Sequence, residues 1–292
     1  MTRARSTAWR TARPGPLIST VYGAFVRRLG GWISVADLIG LMAELDVDGP
    51  AVRSALSRLK KAGTLVQERR TGTGYRLGAD LGPVFDEGDR RIFGSLAPAA
   101  LADGWVVAVF SVPESERALR HRLRARLTWL GFGNAAPGVW LAPARLLPDA
   151  RRALTRLGLV GYVHLFTSDY AGFADLRKAV GHWWDLPAIE AQYAAFTAGH
   201  RPEAGALRQR PVPDDAEAFR RYVPMLTEWR RLPYLDPGLP VELLPDGWNA
   251  VAARRIFTDL HTRLAEPSLR HVARTTGLPR PDPEPARSPG SA

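Results

Sequence analysis

The chain has 292 residues, 46% of them hydrophobic and 24% charged, and it contains no cysteine. A chain of this length suggests two or three domains, each able to bury its own core. The absence of cysteine excludes disulfides, thiol catalysis and cysteine-based metal sites, and it fits a reducing cytoplasm, where we expect the protein to act. The sequence holds no apolar run of about 18 residues, so we expect no membrane span.

The net charge of +11 is concentrated near the N-terminus. Residues 1–80 carry 13 Lys and Arg against 6 Asp and Glu, which leaves +7 in this segment. Double-stranded DNA is a natural partner for such a segment, because neutralising phosphates supplies most sequence-independent affinity. A general preference for arginine is the alternative, since the chain has three lysines, Lys60, Lys61 and Lys178.

The N-terminal segment predicts two helices separated by a short strand. Apolar residues recur at helical spacing from Pro16, and the pair Gly30 and Gly31 ends the pattern. The stretch Trp32–Ser34 can form a strand. Ser34 also suits the N-cap of a second helix, whose leucines and methionine lie on one face.

A third helix is predicted to begin at Asp48, which can cap it. Pro50 suits its first turn. The apolar residues Val52, Leu56 and Leu59 share one stripe and are expected to face the core. The opposite face carries Arg53, Ser54, Ser57, Arg58 and Lys61. A helix face of serines and arginines is more often simply exposed to solvent, so this pattern alone is a weak indication of DNA binding.

Two strand-like runs joined by the glycine-rich stretch Thr71–Gly74 follow the third helix and predict a hairpin. Helix, strand, helix, turn, basic helix and hairpin is the order of a winged helix-turn-helix. We therefore predict a DNA-binding domain over residues 14–80, with the third helix in the major groove and the hairpin on flanking phosphate or minor groove. The hairpin residues expected at DNA are Arg69, Arg70, Tyr75 and Arg76.

The rest of the chain predicts a linker, two further domains and two tails. Residues 81–100 suggest a linker with a short helix. Residues 101–172 alternate strands and helices, which predicts a split βαβ, ferredoxin-like sheet. Residues 173–278 are helical and aromatic, and residues 1–13 and 279–292 are expected to be flexible tails. The predicted fold class is therefore α+β.

Three stretches carry a resemblance to a known family. They are LISTVYGAFVRRLGGWIS with its continuation to Arg70, WVVAVFSVPESERALRHRLRARLTWLGFG with GVWLAP behind it, and TEWRRLPYLDPGLPVELLPDGW. The sequence resembles the PaaX family, repressors of phenylacetic-acid catabolism genes, along nearly all of residues 14–272. The resemblance implies a winged-helix domain, a ferredoxin-like middle domain and a helical C-terminal domain. It also implies a homodimer whose affinity for double-stranded operator DNA falls when phenylacetyl-CoA binds.

The aromatic C-terminal segment holds candidate effector residues. Its rings could line an apolar pocket for an aryl group, and its arginines could contact the phosphates of coenzyme A. These side chains could instead fill the core and interfaces, and the sequence leaves both interpretations open. The candidates are Trp183, Trp184, Trp229, Arg230, Arg231 and Tyr234.

We expect no catalytic residue, metal site or cofactor. The six histidines include no closely spaced ligand pair. The middle domain also resembles the small ferredoxin-like CRISPR nucleases, which place a metal-binding Asp after the first strand. Here that position holds Phe110 to Pro113, and the first carboxylate is Glu114. A metal-dependent nucleic-acid-processing enzyme and a DNA binder without effector remain the alternatives to a ligand-released repressor.

Overall fold

The computed structural model describes residues 13–94, 99–209 and 211–279. Helices predominate in this part of the chain, and its strands form two small antiparallel sheets. The predicted α+β class is confirmed. None of the helices in the described residues combines the length and apolar composition that crossing a membrane requires.

The helices and strands follow in chain order. The helices are α1 (Pro14–Ala24), α2 (Val35–Ala43), α3 (Gly49–Lys61), α4 (Gly82–Phe93), α5 (Arg117–Leu130), α6 (Leu147–Arg156), α7 (Leu176–Trp183), α8 (Leu186–Gln209), α9 (Asp215–Trp229), α10 (Leu232–Leu235) and α11 (Ala250–Thr276). The strands are β1 (Trp32–Ser34), β2 (Leu65–Arg69), β3 (Thr73–Leu77), β4 (Trp105–Phe110), β5 (Gly133–Ala136), β6 (Val139–Pro143) and β7 (Val163–Ser168).

The described residues divide into two compact units. The first unit consists of those within Met1–Asp89, Ala198–Glu228 and Arg254–Ala292. The second unit consists of those within Arg90–Thr197 and Trp229–Ala253. Each unit contains one of the two sheets, β1-β3-β2 in the first and β5-β6-β4-β7 in the second.

Local sequence explains where α2 and α3 begin. The Oγ of Ser34 accepts a hydrogen bond from the backbone N–H of Asp37 at 3.0 Å and caps α2. Asp48 caps α3 through the N–H of Ala51 at 2.7 Å, with Pro50 in the first turn. Each cap satisfies an N–H group that a helix start leaves without a partner. Both predicted caps are confirmed.

The first helix is shorter than the sequence predicts. α1 ends at Ala24, and Val26–Leu29 continues as a 3-10 turn that Gly30 closes with a φ of 92°. Phe25, between the two, leaves the helical region with a φ of −127°. The reason lies far along the chain, because this turn sets the Phe25 ring against the rings of Phe219 and Tyr222 in α9, which helical spacing cannot reveal.

Helices α9 and α11 pack with the N-terminal elements inside the first unit. The buried hydroxyl of Thr227 donates to the hydroxyl of Thr20 in α1 at 2.8 Å. Nε2 of His271 in α11 lies 2.9 Å from the carboxylate of Glu44, at the C-cap of α2. Residues more than 200 positions apart therefore share one core.

The second unit is built on the sheet β5-β6-β4-β7, in which every neighbouring pair of strands is antiparallel. The chain order is strand, helix, strand, strand, helix, strand, with α5 after β4 and α6 after β6. Leu119 is only partly buried against the core. The buried residues that join the two helices to the sheet include Val106, Ala108, Leu123, Leu127, Trp140, Ala150 and Leu154.

The segment predicted to be a linker, residues 81–100, contains the 12-residue helix α4. Arg91 in this helix is buried, and its guanidinium donates to the carbonyl oxygens of Pro233 at 2.9 Å and Leu130 at 3.2 Å. Burial lowers the pKa of Arg91 below its usual value. The predicted domain boundaries themselves stay a prediction, and the predicted tails lie outside the described residues except for one residue at each inner end.

We predict that Gly74→Ala destabilises the first unit. A Cβ on Gly74 would lie 2.5 Å from the carbonyl oxygen of Ile33 and closer still to the indole of Trp32. Overpacking of this kind costs about 1–3 kcal/mol or more. Thermal unfolding of the full-length protein should therefore show a lower Tm.

Gly72 in the same hairpin provides the control. A Cβ there meets nothing within 4 Å, so Gly72→Ala should leave Tm nearly unchanged. An equal loss of stability in both variants would contradict the role assigned to the contact between Gly74 and Trp32.

Candidate nucleic-acid interface

The outward face of α3 carries the five residues that the sequence predicts for it. Val52 and Leu56 are buried on the opposite side and Leu59 is half-buried. At about 100° per residue, the outward side chains cover an arc of roughly 140°. All five are exposed: Arg53, Ser54, Ser57, Arg58 and Lys61.

Two hydrogen bonds order this face. Nη1 of Arg58 donates to Oγ of Ser54, one turn earlier in α3, at 2.7 Å. Nζ of Lys60 donates to Oε1 of Gln67 in β2 at 2.8 Å, which joins the end of α3 to the hairpin. The cationic end of α3 and the β2-β3 hairpin therefore form one continuous surface.

Glu68 organises the arginines of the hairpin. Its carboxylate pairs with Nε of Arg70 at 2.6 Å and with Nε of Arg76 at 3.0 Å. The hydrogen bond from Arg70 and the charges of both arginines hold the pKa of Glu68 below its usual value. Arg69 is exposed. Sequence reasoning missed Glu68, although it is the acidic residue nearest to Arg69 and Arg70 in the sequence.

Trp32 packs against the β2-β3 hairpin near its turn. Its Nε1 donates to the carbonyl oxygen of Glu68 at 3.1 Å, and the guanidinium of Arg70 lies 5.5 Å from the ring centroid. A cation over an indole is attracted by the negative ring face. Gly74 fits tightly against this ring. A glycine inside a strand marks a close approach of another group, so Gly74 is the sequence signal that could have indicated the contact with Trp32.

Tyr75 and Arg76 are half-buried and are therefore less accessible than the other predicted DNA-contacting residues. The carbonyl oxygen of Tyr75 accepts a hydrogen bond from the hydroxyl of Tyr22 in α1 at 3.2 Å. Burial raises the pKa of Tyr22, so its hydroxyl remains a donor. Arg76 donates to the carbonyl oxygen of Leu77 at 3.0 Å. The hydrogen bond from Tyr22 fixes β3 on α1.

The candidate effector residues Trp183 and Trp184 belong to an aromatic group around β4. Their ring centroids lie 6.0 and 6.2 Å from that of Trp105. Trp184 is buried and its Nε1 donates to the carbonyl oxygen of Gly131 at 3.0 Å, whereas Trp183 is half-buried and meets Tyr170 edge to face. Trp184 is therefore held as a core residue.

Trp229 lies in a different part of the same unit and is fully buried. Its Nε1 donates to the carbonyl oxygen of Ile92 at 3.1 Å, and its ring contacts those of Tyr193 and Phe196 at centroid distances of 6.5 and 5.3 Å. Its neighbour Arg230 is largely buried, which lowers its pKa. A ligand could reach Trp229 only if these neighbours moved.

The remaining candidates differ in exposure. Arg231 is exposed. The half-buried ring of Tyr234 stacks on Trp129 at a centroid distance of 4.4 Å, and the guanidinium of Arg91 lies 4.9 Å from the Tyr234 ring. The four aromatic candidates thus fall into three separate groups in the described structure, and the role of all six candidates in ligand binding stays a prediction.

Comparison with known proteins identifies the family. Three family models match successive parts of the chain: PaaX-like protein over residues 13–81, PaaX protein central Cas2-like domain over 98–180, and PaaX-like protein C-terminal domain over 184–274. The chain belongs to the PaaX family. The resemblance predicted from the sequence is confirmed.

Two individual relatives extend this result. Transcriptional repressor PaaX of Escherichia coli (strain K12) is 29% identical over 262 residues, which cover 88% of this chain and 82% of the relative. The solved structure of uncharacterized protein Rv0674 from Mycobacterium tuberculosis is 23% identical with a TM-score of 0.52, and the match covers 89% of this chain and 98% of the other. The second likeness supports the fold of this PaaX-family chain alone.

The carboxylates of this PaaX-family chain are not grouped as metal ligands in the part that the structure describes. Those residues include no cluster of three or more His, Asp or Glu that could hold a metal ion. Glu114, the first carboxylate after β4, pairs with Nη1 of Arg120 at 2.8 Å. The charge of Glu114 is therefore neutralised by the ion pair with Arg120.

We predict that Trp229→Ala lowers the free energy of unfolding by about 3–5 kcal/mol, because it removes a fully buried ring from the core of the second unit. Trp183→Ala removes a half-buried ring and should cost clearly less. Urea unfolding monitored by circular dichroism measures both. A small loss for Trp229→Ala would show that this ring lines an adaptable cavity instead of a packed core.

Proposed function

We propose that this chain is a DNA-binding transcriptional repressor that reads duplex DNA with α3 and the β2-β3 hairpin. The observation that carries the proposal is the outward face of α3, where Arg53, Ser57 and Lys61 lie exposed opposite the buried stripe of Val52 and Leu56. The order of α1, β1, α2, α3 and the hairpin supports a winged helix-turn-helix over residues 14–80. The relative named as a transcriptional repressor supports the same function.

The chemistry of each element suits a different part of the duplex. α3 has 13 residues and is therefore about 20 Å long. An α-helix with its side chains is about 10–12 Å across, which fits a major groove about 12 Å wide. Arginine pairs with two acceptors of guanine, and serine can contact several bases. The arginines of the hairpin are suited to phosphates, whose neutralisation gives affinity without sequence preference.

We predict that substitutions in α3 and in the hairpin change DNA binding in different ways. Arg53→Ala or Ser57→Ala should cost about 1–3 kcal/mol on the operator and relax discrimination at particular base pairs. Arg69→Ala should weaken all duplexes together and reduce the slope of log affinity against log salt by about one for each phosphate that is no longer neutralised. Fluorescence anisotropy with operator and mutated duplexes, at several salt concentrations, measures both effects.

Glu68→Gln is a useful companion variant. It removes the charge that pairs with Arg70 and Arg76, so it should strengthen binding to every duplex by a similar factor. The operator itself is found by sequencing the DNA that the protein binds in cells, which also identifies the regulated genes. Equal loss of sequence discrimination in the α3 and hairpin variants would contradict the assigned roles, and no preference for any duplex would contradict the proposed function.

The second unit supports the ferredoxin-like interpretation of residues 101–172. Its strand order β5-β6-β4-β7 and its strand, helix, strand, strand, helix, strand sequence are those of a split βαβ sheet. In the proposed mechanism the protein is a homodimer. Two copies of α3 then meet half-sites about one helical turn, or roughly 34 Å, apart.

The proposed effector is an aryl-acyl-CoA such as phenylacetyl-CoA. Arg231 is exposed and Trp183 is half-buried, so both are accessible to such a ligand. An effector changes operator occupancy only through its different affinities for the free and the DNA-bound states. A fall in occupancy from about 90% to 10% needs an affinity change of about 80-fold, or about 2.6 kcal/mol, which is within the usual range of coupling energies.

We predict that phenylacetyl-CoA at micromolar concentration lowers operator affinity, whereas phenylacetate and coenzyme A do not. A titration of labelled operator and full-length protein with each compound measures this. Operator binding that is unchanged at saturating phenylacetyl-CoA would exclude this effector and leave the DNA-binding proposal intact. Indifference to every acyl-CoA tested would favour a DNA binder without effector.

A further inference from the structure

A surface cleft of about 390 Å³ lies where β4 ends in the second unit. One wall is the first half of α5, which contributes Arg120 and Arg124, and the other is the turn between β5 and β6. Phe110, at the end of β4, also lines the cleft. None of its lining residues belongs to α3, to the hairpin or to the candidate effector residues predicted from the sequence.

The charge of the cleft is positive. Helix α5 carries five arginines and one histidine and no acidic residue between Arg117 and Leu130. Arg120 is fixed in place, because its guanidinium donates to the carbonyl oxygen of Val112 at 2.8 Å and pairs with Glu114 at 2.8 Å. Arg124 lies one turn further along the same wall and is exposed. Two guanidiniums therefore line the cleft, and the carboxylate of Glu114 can neutralise only the charge of Arg120.

The uncharged part of the lining combines an aromatic ring with polar groups. Phe110 is half-buried, and Asn134 is held at the rim by a hydrogen bond from its Nδ2 to the carbonyl oxygen of Ala136 at 2.9 Å. Gly138 has a φ of 79°, and a Cβ there would lie 2.7 Å from the carbonyl oxygen of Phe110. Glycine thus allows the turn to approach the end of β4 closely and gives the cleft its shape.

We propose that this cleft binds a nucleotide-type phosphate ester, with Arg124 and Arg120 on the phosphates and Phe110 against the base. Arginine is suited to phosphate because its planar donors match the phosphate oxygens. The volume is near the lower end of ligand pockets, which range from about 300 to 1,000 Å³, and suits a molecule of nucleotide size instead of a duplex. The proposal does not depend on the DNA-binding function proposed above.

The test uses the full-length protein and isothermal titration calorimetry with ADP. We expect ADP to bind the wild type, and we expect Arg124→Glu to weaken this binding at least tenfold. Arg122→Glu is the matched control, because Arg122 is an exposed arginine of the same helix that does not line the cleft. It makes the same change of charge and should leave ADP binding within twofold of wild type. Circular dichroism checks that both variants retain the native helix content.

Further titrations separate the parts of the ligand. Inorganic pyrophosphate should bind more weakly than ADP, since it lacks the base that would lie against Phe110. A separate titration with coenzyme A compares its affinity with that of ADP. Tighter binding of ADP would indicate a free nucleotide as the ligand, and tighter binding of coenzyme A would indicate the nucleotide end of a coenzyme; both results support the site. ADP and coenzyme A share the phosphate ester and the base.

Four outcomes would overturn the proposal. They are no ADP binding by the wild type at millimolar concentration, equal weakening by Arg124→Glu and Arg122→Glu, pyrophosphate binding as tight as that of ADP, and loss of duplex affinity in Arg124→Glu with unchanged ADP binding. The last result would identify the face of α5 as a contact for the DNA backbone.

Discussion

The packing of Phe25 against Phe219 and Tyr222 supports the whole first unit. The three rings are buried, with centroids 6.0 and 6.1 Å apart, and complete burial of such a side chain contributes about 1.5–3 kcal/mol. Phe25 is the C-cap residue of α1, and α1 packs against α3. The proposed DNA-reading helix therefore packs against a helix that α9 also contacts, through the hydrogen bond between Thr227 and Thr20, so a shift of α9 would change the support of α3.

Polar contacts set the register of this packing. The hydroxyl of Tyr222 hydrogen-bonds to Nδ1 of His261 in α11 at 2.7 Å, and burial lowers the pKa of His261 and favours its neutral form. Thr227 donates to Thr20 in the same core. Apolar contacts alone allow one helix to slide along another, whereas leaving a buried polar group without its partner lowers the stability of the fold by about 1–3 kcal/mol. These pairs therefore favour one arrangement of α9 and α11 on the N-terminal helices.

The parts of the molecule that follow from neighbouring residues could be predicted from the sequence. The caps at Ser34 and Asp48, the strands and the exposed face of α3 depend on spacing and on side-chain chemistry within one helix turn or hairpin. The break of α1 at Phe25, the ion pairs of Glu68 and the burial of Trp229 depend on partners chosen by the tertiary fold. Aromatic residues were the hardest case, because a ring that fills a core and a ring that lines a pocket have the same sequence signal.

The net charge of +11 overstates the number of cations that are available for direct contact with DNA. In the second unit Arg91 is buried on main-chain carbonyls, and Arg145, whose pKa burial also lowers, donates to the carbonyl oxygen of Gly238 at 3.2 Å. The guanidinium donors of these two arginines are therefore used inside the second unit, where they bind main-chain carbonyls. In the hairpin, phosphates must compete with Glu68 for Arg70. Arg53, Arg58 and Lys61 of α3 are not among the partners of Glu68, so in the proposed complex the duplex meets them without that competition.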